Sequence, residues 1–113
     1  MPHCLKFHVA KPIMMLMAAA GLVVLAAPSA SAADAANGER LAQRWCASCH
    51  VVAEGQRAGT PDVPTFAAIG KKPDYDPVKI ANFLMSPHPV MPNMSLTRIE
   101  AGDLAAYIKS QGK

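Results

Sequence analysis

The chain has 113 residues, of which 51% are hydrophobic but only 5% aromatic, and a formal charge of +3, so it has room for one domain. Its basic and acidic residues are interspersed without a run or stripe, and nothing in that pattern supports nucleic-acid binding. Much of the hydrophobic fraction is alanine, which contributes little bulk to a core.

Residues 1–32 read as a secretory signal peptide. Lys6 and Lys11 supply a basic start, an apolar run extends from Ile13 to Ala27, and Ala30-Ser31-Ala32 forms an A-x-A cleavage signal before Ala33. The competing reading is a retained anchor, but the apolar run is 15 residues and a bilayer span takes about 20. Cleavage removes Cys4 and leaves a domain of residues 33–113, in which nine basic residues face eight acidic ones. A domain of this size buries little apolar surface unaided, and a staple or a cofactor often completes such cores.

From Asp34 to Ala47, "DAANGERLAQRWCA" is built of good helix formers, with Asp34 or Asn37 available as a cap. Residues 51–76 carry glycines and prolines at irregular spacing, which predicts loops interrupted by a short helical turn around "TFAAIG". Asp76-Pro77 opens a helix over "PVKIANFLM", with Val78, Ile80, Ala81, Phe83 and Leu84 on its apolar side. The next segment, "SPHPVMPNMS", contains three prolines, each fixing φ and lacking an amide donor, which makes a stiff extended loop. The last helix starts with the capping-box pair Thr97 and Glu100, places Ile99, Leu104, Tyr107 and Ile108 on one side, and carries Lys109 near its end to complement the dipole. No strand-length alternation appears, so the predicted class is all-α.

The chemistry concentrates in "WCASCH", where Cys46 and Cys49 stand two residues apart with His50 directly behind. Three readings compete. A redox-active C-x-x-C normally accompanies a βαβ pattern, which is missing here. A structural zinc site needs four ligands, and Cys46, Cys49, His50 and His88 supply the number, but adjacent Cys49 and His50 are poorly placed to converge on one tetrahedral ion. The third reading is covalent haem attachment through C-x-x-C-H, in which the thiols add to the two porphyrin vinyl groups and His50 becomes an axial ligand of the iron. Export agrees with it, because bacteria attach c-type haem outside the cytoplasm.

A second axial ligand has to come from elsewhere. Met91, Met94 and His88 all lie in the proline-rich loop, and Met91, flanked by Val90 and Pro92, has the most restrained backbone. A methionine would raise the potential and saturate the iron for electron transfer, whereas an open position would admit small molecules.

On these residues the chain resembles the small single-haem cytochromes c of bacteria over all of residues 33–113. The resemblance implies the all-α cytochrome c fold, with three main helices and short turns around one covalently bound haem c and its iron. It implies Cys46, Cys49, His50 and Met91 as the cofactor-binding set, with His50 and Met91 on the metal. Within the family pattern, Gly38 lets the first helix approach the last beside Leu104 and Tyr107, and Pro64, with Pro61 second, offers its carbonyl to the ligand histidine. Leu41 stands where the family often has an aromatic residue.

Met94 and Met85 are expected as core fillers around the haem, Trp45 and Tyr75 as haem-lining or packing residues, and Arg57 as a propionate partner or a solvated side chain. Lys71, Lys72 and Lys79 are candidates for a docking face. The expected activity is single-electron transfer in the periplasm between redox partner proteins, by a monomer without nucleic-acid binding, stable membrane insertion or catalysis of its own. The alternative is a haem-based sensor with an open or displaceable sixth position.

Overall fold

A computed structural model describes residues 31–86 and 89–113, so the expected leader, apart from Ser31 and Ala32, and His88 lie outside the described residues. Four helices follow in chain order: α1 (Ala35–Trp45), α2 (Phe66–Gly70), α3 (Pro77–Met85) and α4 (Arg98–Gln111). No strand occurs among the described residues. The longest helix, α4, packs against each of the other three.

Each helix starts where a short polar side chain can take its free amides. Asp34 accepts from the amides of Ala36 and Asn37 at 2.9 and 3.0 Å. Thr65 accepts from Ala68 at 3.1 Å, and Asp76 from Val78 at 2.8 Å with Pro77 in the first turn. At α4 the capping box closes both ways, with Glu100 N–H donating to Thr97 Oγ1 and Thr97 N–H to Glu100 Oε2. The Thr97 amide and the Thr97 hydroxyl both donate to Glu100 Oε2, at 2.8 Å each, and hold the Glu100 carboxyl below its ordinary range. The first helix is shorter than its sequence suggests. It ends at Trp45, and Cys46 caps it in a turn where the amides of Cys49 and His50 both donate to the Cys46 carbonyl, at 3.1 and 2.8 Å.

Helix α1 crosses α4 with backbone against backbone. A Cβ at Gly38 would overlap the Asp103 carbonyl oxygen and lie 2.8 Å from Tyr107 Cβ. One polar lock fixes the crossing. The buried Asp103 carboxylate accepts from the Asp34 amide at 2.7 Å and from Asn37 Nδ2 at 2.8 Å. Asn37, a second candidate cap in the sequence, therefore serves this interhelical contact instead.

The core gathers Ala42, Cys46, Val52, Phe66, Leu84, Ala101, Leu104, Tyr107 and Ile108. Two tyrosines anchor loops to it: Tyr107 donates its hydroxyl to the Val52 carbonyl at 3.0 Å, and Tyr75 donates to the Ala105 carbonyl at 2.5 Å. Three apolar positions depart from the expected faces. Ile99, in the first turn of α4, is 71% exposed. On α3, Leu84 is buried, while Val78 and Phe83 are 67% and 47% exposed. Nor does Lys109 only complement the dipole, since its ammonium donates to the Gly70 carbonyl at 3.2 Å.

Gly38→Ala forces two backbones apart, and overpacking of that kind costs about 3 kcal/mol, or roughly 12 °C or more of thermal midpoint in a domain this small. Gly102→Ala, in α4 with nothing within 4 Å of the new Cβ, raises stability by about 0.5–1 kcal/mol. Thermal unfolding of both variants checks the pair, and equal effects would contradict the crossing.

Burial pushes the Tyr75 phenol from 10.0 up to about 12. The folded state thus holds this proton more tightly than the unfolded chain, so the contribution is complete below pH 10.0 and is lost as pH rises toward about 12. Tyr75→Phe should show a shallower alkaline decline in unfolding free energy, and parallel curves for variant and wild type would refute this.

Candidate functional site

The motif Cys46–His50 emerges from the C-terminal end of α1 and turns under α4. Cys46 is buried, Cys49 is exposed, and both thiols are free. The position disfavours thiolate chemistry, since the negative end of the helix dipole lies at Cys46 and burial pushes its thiol up to about 11. Reactive C-x-x-C thiols are shifted the other way. Among the described residues, no three of His, Cys, Asp and Glu gather to hold a metal ion.

His50 is oriented from both ends. Its Nδ1 lies 2.7 Å from the Pro64 carbonyl oxygen. A carbonyl only accepts, so Nδ1 carries the proton and Nε2 keeps its lone pair for a metal. The ring also packs on Phe66, with centroids 5.5 Å apart, and Phe66 in turn meets Tyr107 edge-on. Of the two prolines considered, Pro64 makes the contact. Its loop is held by the Phe66 amide donating to the Val51 carbonyl at 2.9 Å and the Thr60 amide donating to the Cys49 carbonyl at 2.8 Å.

Two apolar cavities of about 350 and 390 Å³ meet at this motif. Cys46, His50, Pro64 and Met91 line both. Cys49, Trp45, Val90 and Met94 are among the further residues of the first, and Phe66, Ile80, Phe83, Leu84 and Ile108 among those of the second. Their size and apolar walls suit a flat apolar ligand. A porphyrin with two vinyl groups and an iron fits the donor set: two thiols, an imidazole with Nε2 available, and a thioether on the same walls. A larger cavity of about 580 Å³ lies apart, between residues 51–56 and the C-terminus, and contains none of these donors.

The structure separates several residues that the sequence leaves together. Met91 packs against the core cluster and borders both cavities, whereas Met94 borders one and Met85 packs on the core without lining either. Trp45 lines a cavity, with the Arg44 guanidinium 4.7 Å above its ring, but Tyr75 is committed to α4. Arg57 is exposed and borders neither cavity. Lys72 lines the second of these cavities and Lys71 the separate larger one.

One residue escaped the sequence reading. Gln56 accepts from the Val52 amide at 2.9 Å, and its Nε2 lies 3.1, 2.8 and 3.0 Å from the carbonyl oxygens of Ala47, His50 and Ala58. A lone glutamine in a glycine-rich loop carries no motif, and only the fold brings these backbone groups around it.

The chain matches the family described as "Cytochrome C oxidase, cbb3-type, subunit III" over residues 33–108. It is 56% identical over 88 residues to cytochrome c-552 of Bradyrhizobium diazoefficiens, covering 78% of this chain and 85% of that protein. No solved structure is significantly similar. With a C-x-x-C-H turn beside apolar cavities in a helical fold, the chain belongs to the cytochrome c family and is a monohaem cytochrome c with covalently bound haem c.

Proposed function

We propose that this electron carrier works in the periplasm as a monomer, with Cys46 and Cys49 holding the haem and His50 and Met91 closing the two axial positions of its iron. Each thiol adds sulfur and hydrogen across one vinyl group, so both sulfurs end as thioethers and nothing is released. The haem iron supplies a one-electron couple. The observation that carries the ligand assignment is that His50 and Met91 border both apolar cavities, while the Pro64 carbonyl accepts from the Nδ1–H of His50 and leaves Nε2 free.

The remaining residues fix the surroundings of that couple. Ile80, Leu84, Phe66 and Ile108 exclude water from one side, which lowers the local dielectric. Val90, 89% exposed, and Trp45, 43% exposed, border the other cavity and mark where it reaches the surface. A redox partner would approach there. Val90 and Pro92 restrain Met91 on either side, so its thioether meets the iron with little loss of backbone freedom. The basic start, apolar run and A-x-A signal of residues 1–32 support export and a product beginning at Ala33.

Purified from the periplasmic fraction, the oxidised protein should begin at Ala33 and show a weak thioether-to-iron absorption near the red end of the spectrum. Met91→Ala abolishes that band and lowers the midpoint potential, and Met94→Ala retains both. The reverse pattern would transfer the ligand role to Met94. Absence of the band in wild type would favour His88 or an open sixth position.

A further inference from the structure

Gln56 touches neither cavity beside the motif, yet its side chain reaches four backbone groups around the histidine. Its Nε2 has two hydrogens for the carbonyls of Ala47, His50 and Ala58, so one is shared, and its Oε1 takes the Val52 amide. The Val52 contact fixes the amide's orientation, because a flipped amide would set NH₂ against N–H and oxygen against three carbonyls. His50 is thereby held at two points. Gln56 fixes its carbonyl, at 2.8 Å, and Pro64 fixes its ring, at 2.7 Å.

These two contacts are coupled through the residue they share. Rotation of the His50–Val51 peptide swings the His50 backbone and carries Nδ1 off the Pro64 oxygen. That changes both the plane of the imidazole and the strength of the hydrogen bond that makes it a better donor to a metal. We infer that Gln56 is a positioning residue for His50, setting the imidazole plane and its bond to Pro64, and thus the electronic state of the bound iron. The inference rests on His50 being an axial ligand, as proposed above. The neighbouring Arg57 is exposed.

Proton NMR of the oxidised holoprotein tests this, because the spread of the haem-methyl resonances follows the orientation of the axial imidazole. In wild type, the side-chain amide protons of Gln56 should exchange far more slowly than those of exposed Gln43. Equal exchange would overturn the clamp without recourse to any variant. Gln56→Ala should redistribute the haem-methyl shifts and move the midpoint potential, and Gln56→Glu, which keeps the Val52 acceptor and the shape but sets an oxygen against the three carbonyls, should move both as well. Arg57→Ala should leave both readouts at wild-type values.

If the Gln56 variants lose thermal stability but keep the wild-type methyl pattern and potential, the residue is merely structural and the inference falls. If Gln56→Ala does not fold, Gln56→Glu and the exchange measurement decide. Failure of the underlying reading is distinguishable, because wild type would then lack the His50 ring resonances shifted by the iron, whatever occupies position 56.

Discussion

The crossing of α1 over α4 permits no side chain at Gly38, where Asp103 contributes its main-chain carbonyl to the contact and its carboxylate to a lock on the start of α1. Everything at the site inherits its position from this approach. Because α1 lies so close, its C-terminal turn delivers Cys46 into the core beside Leu104 and Ile108 rather than to the surface. The loop that follows is then tied back to the same helix through the Tyr107 hydroxyl on Val52. This close approach fixes where the motif emerges.

The chain has only a small core of its own. Leu104 and Val52 are the largest side chains excluded from solvent altogether, and Phe83, Trp45 and Val90 remain substantially exposed along the cavities. A macrocycle bonded at the motif would supply the missing contact area, and burial of apolar surface is the main favourable term in folding. The same placement separates structure from chemistry. Buried Cys46 belongs to the core and its thiol is pushed up to about 11, while exposed Cys49 is reachable from outside.

Helix starts and the motif were legible because their signals are local. Asp34, Thr65, Asp76 and Thr97 announce helices through hydrogen bonds to amides two or three residues on. Faces were less legible. Ile99 has the right helical phase but stands exposed in the first turn of α4, and periodicity cannot show where a neighbouring helix begins. Val78 and Phe83 fail for a related reason, since only part of α3 meets α4 and Phe83 borders a cavity. Pro64 could be picked out by family resemblance, and the 2.7 Å contact of its carbonyl with His50 agrees. Gln56 could not, because its partners are main-chain groups whose convergence depends on how the loop closes.

The central claim is that Cys46 and Cys49 are both bonded to one haem. Peptide mass mapping of the exported protein tests it directly, because cleavage after Arg44 and Arg57 isolates residues 45–57, which contain both thiols and His50. The account predicts a single peptide heavier by one haem, with no thiol left to alkylate. Two alkylatable thiols, or a peptide lighter by two hydrogens and carrying a disulfide, would contradict it.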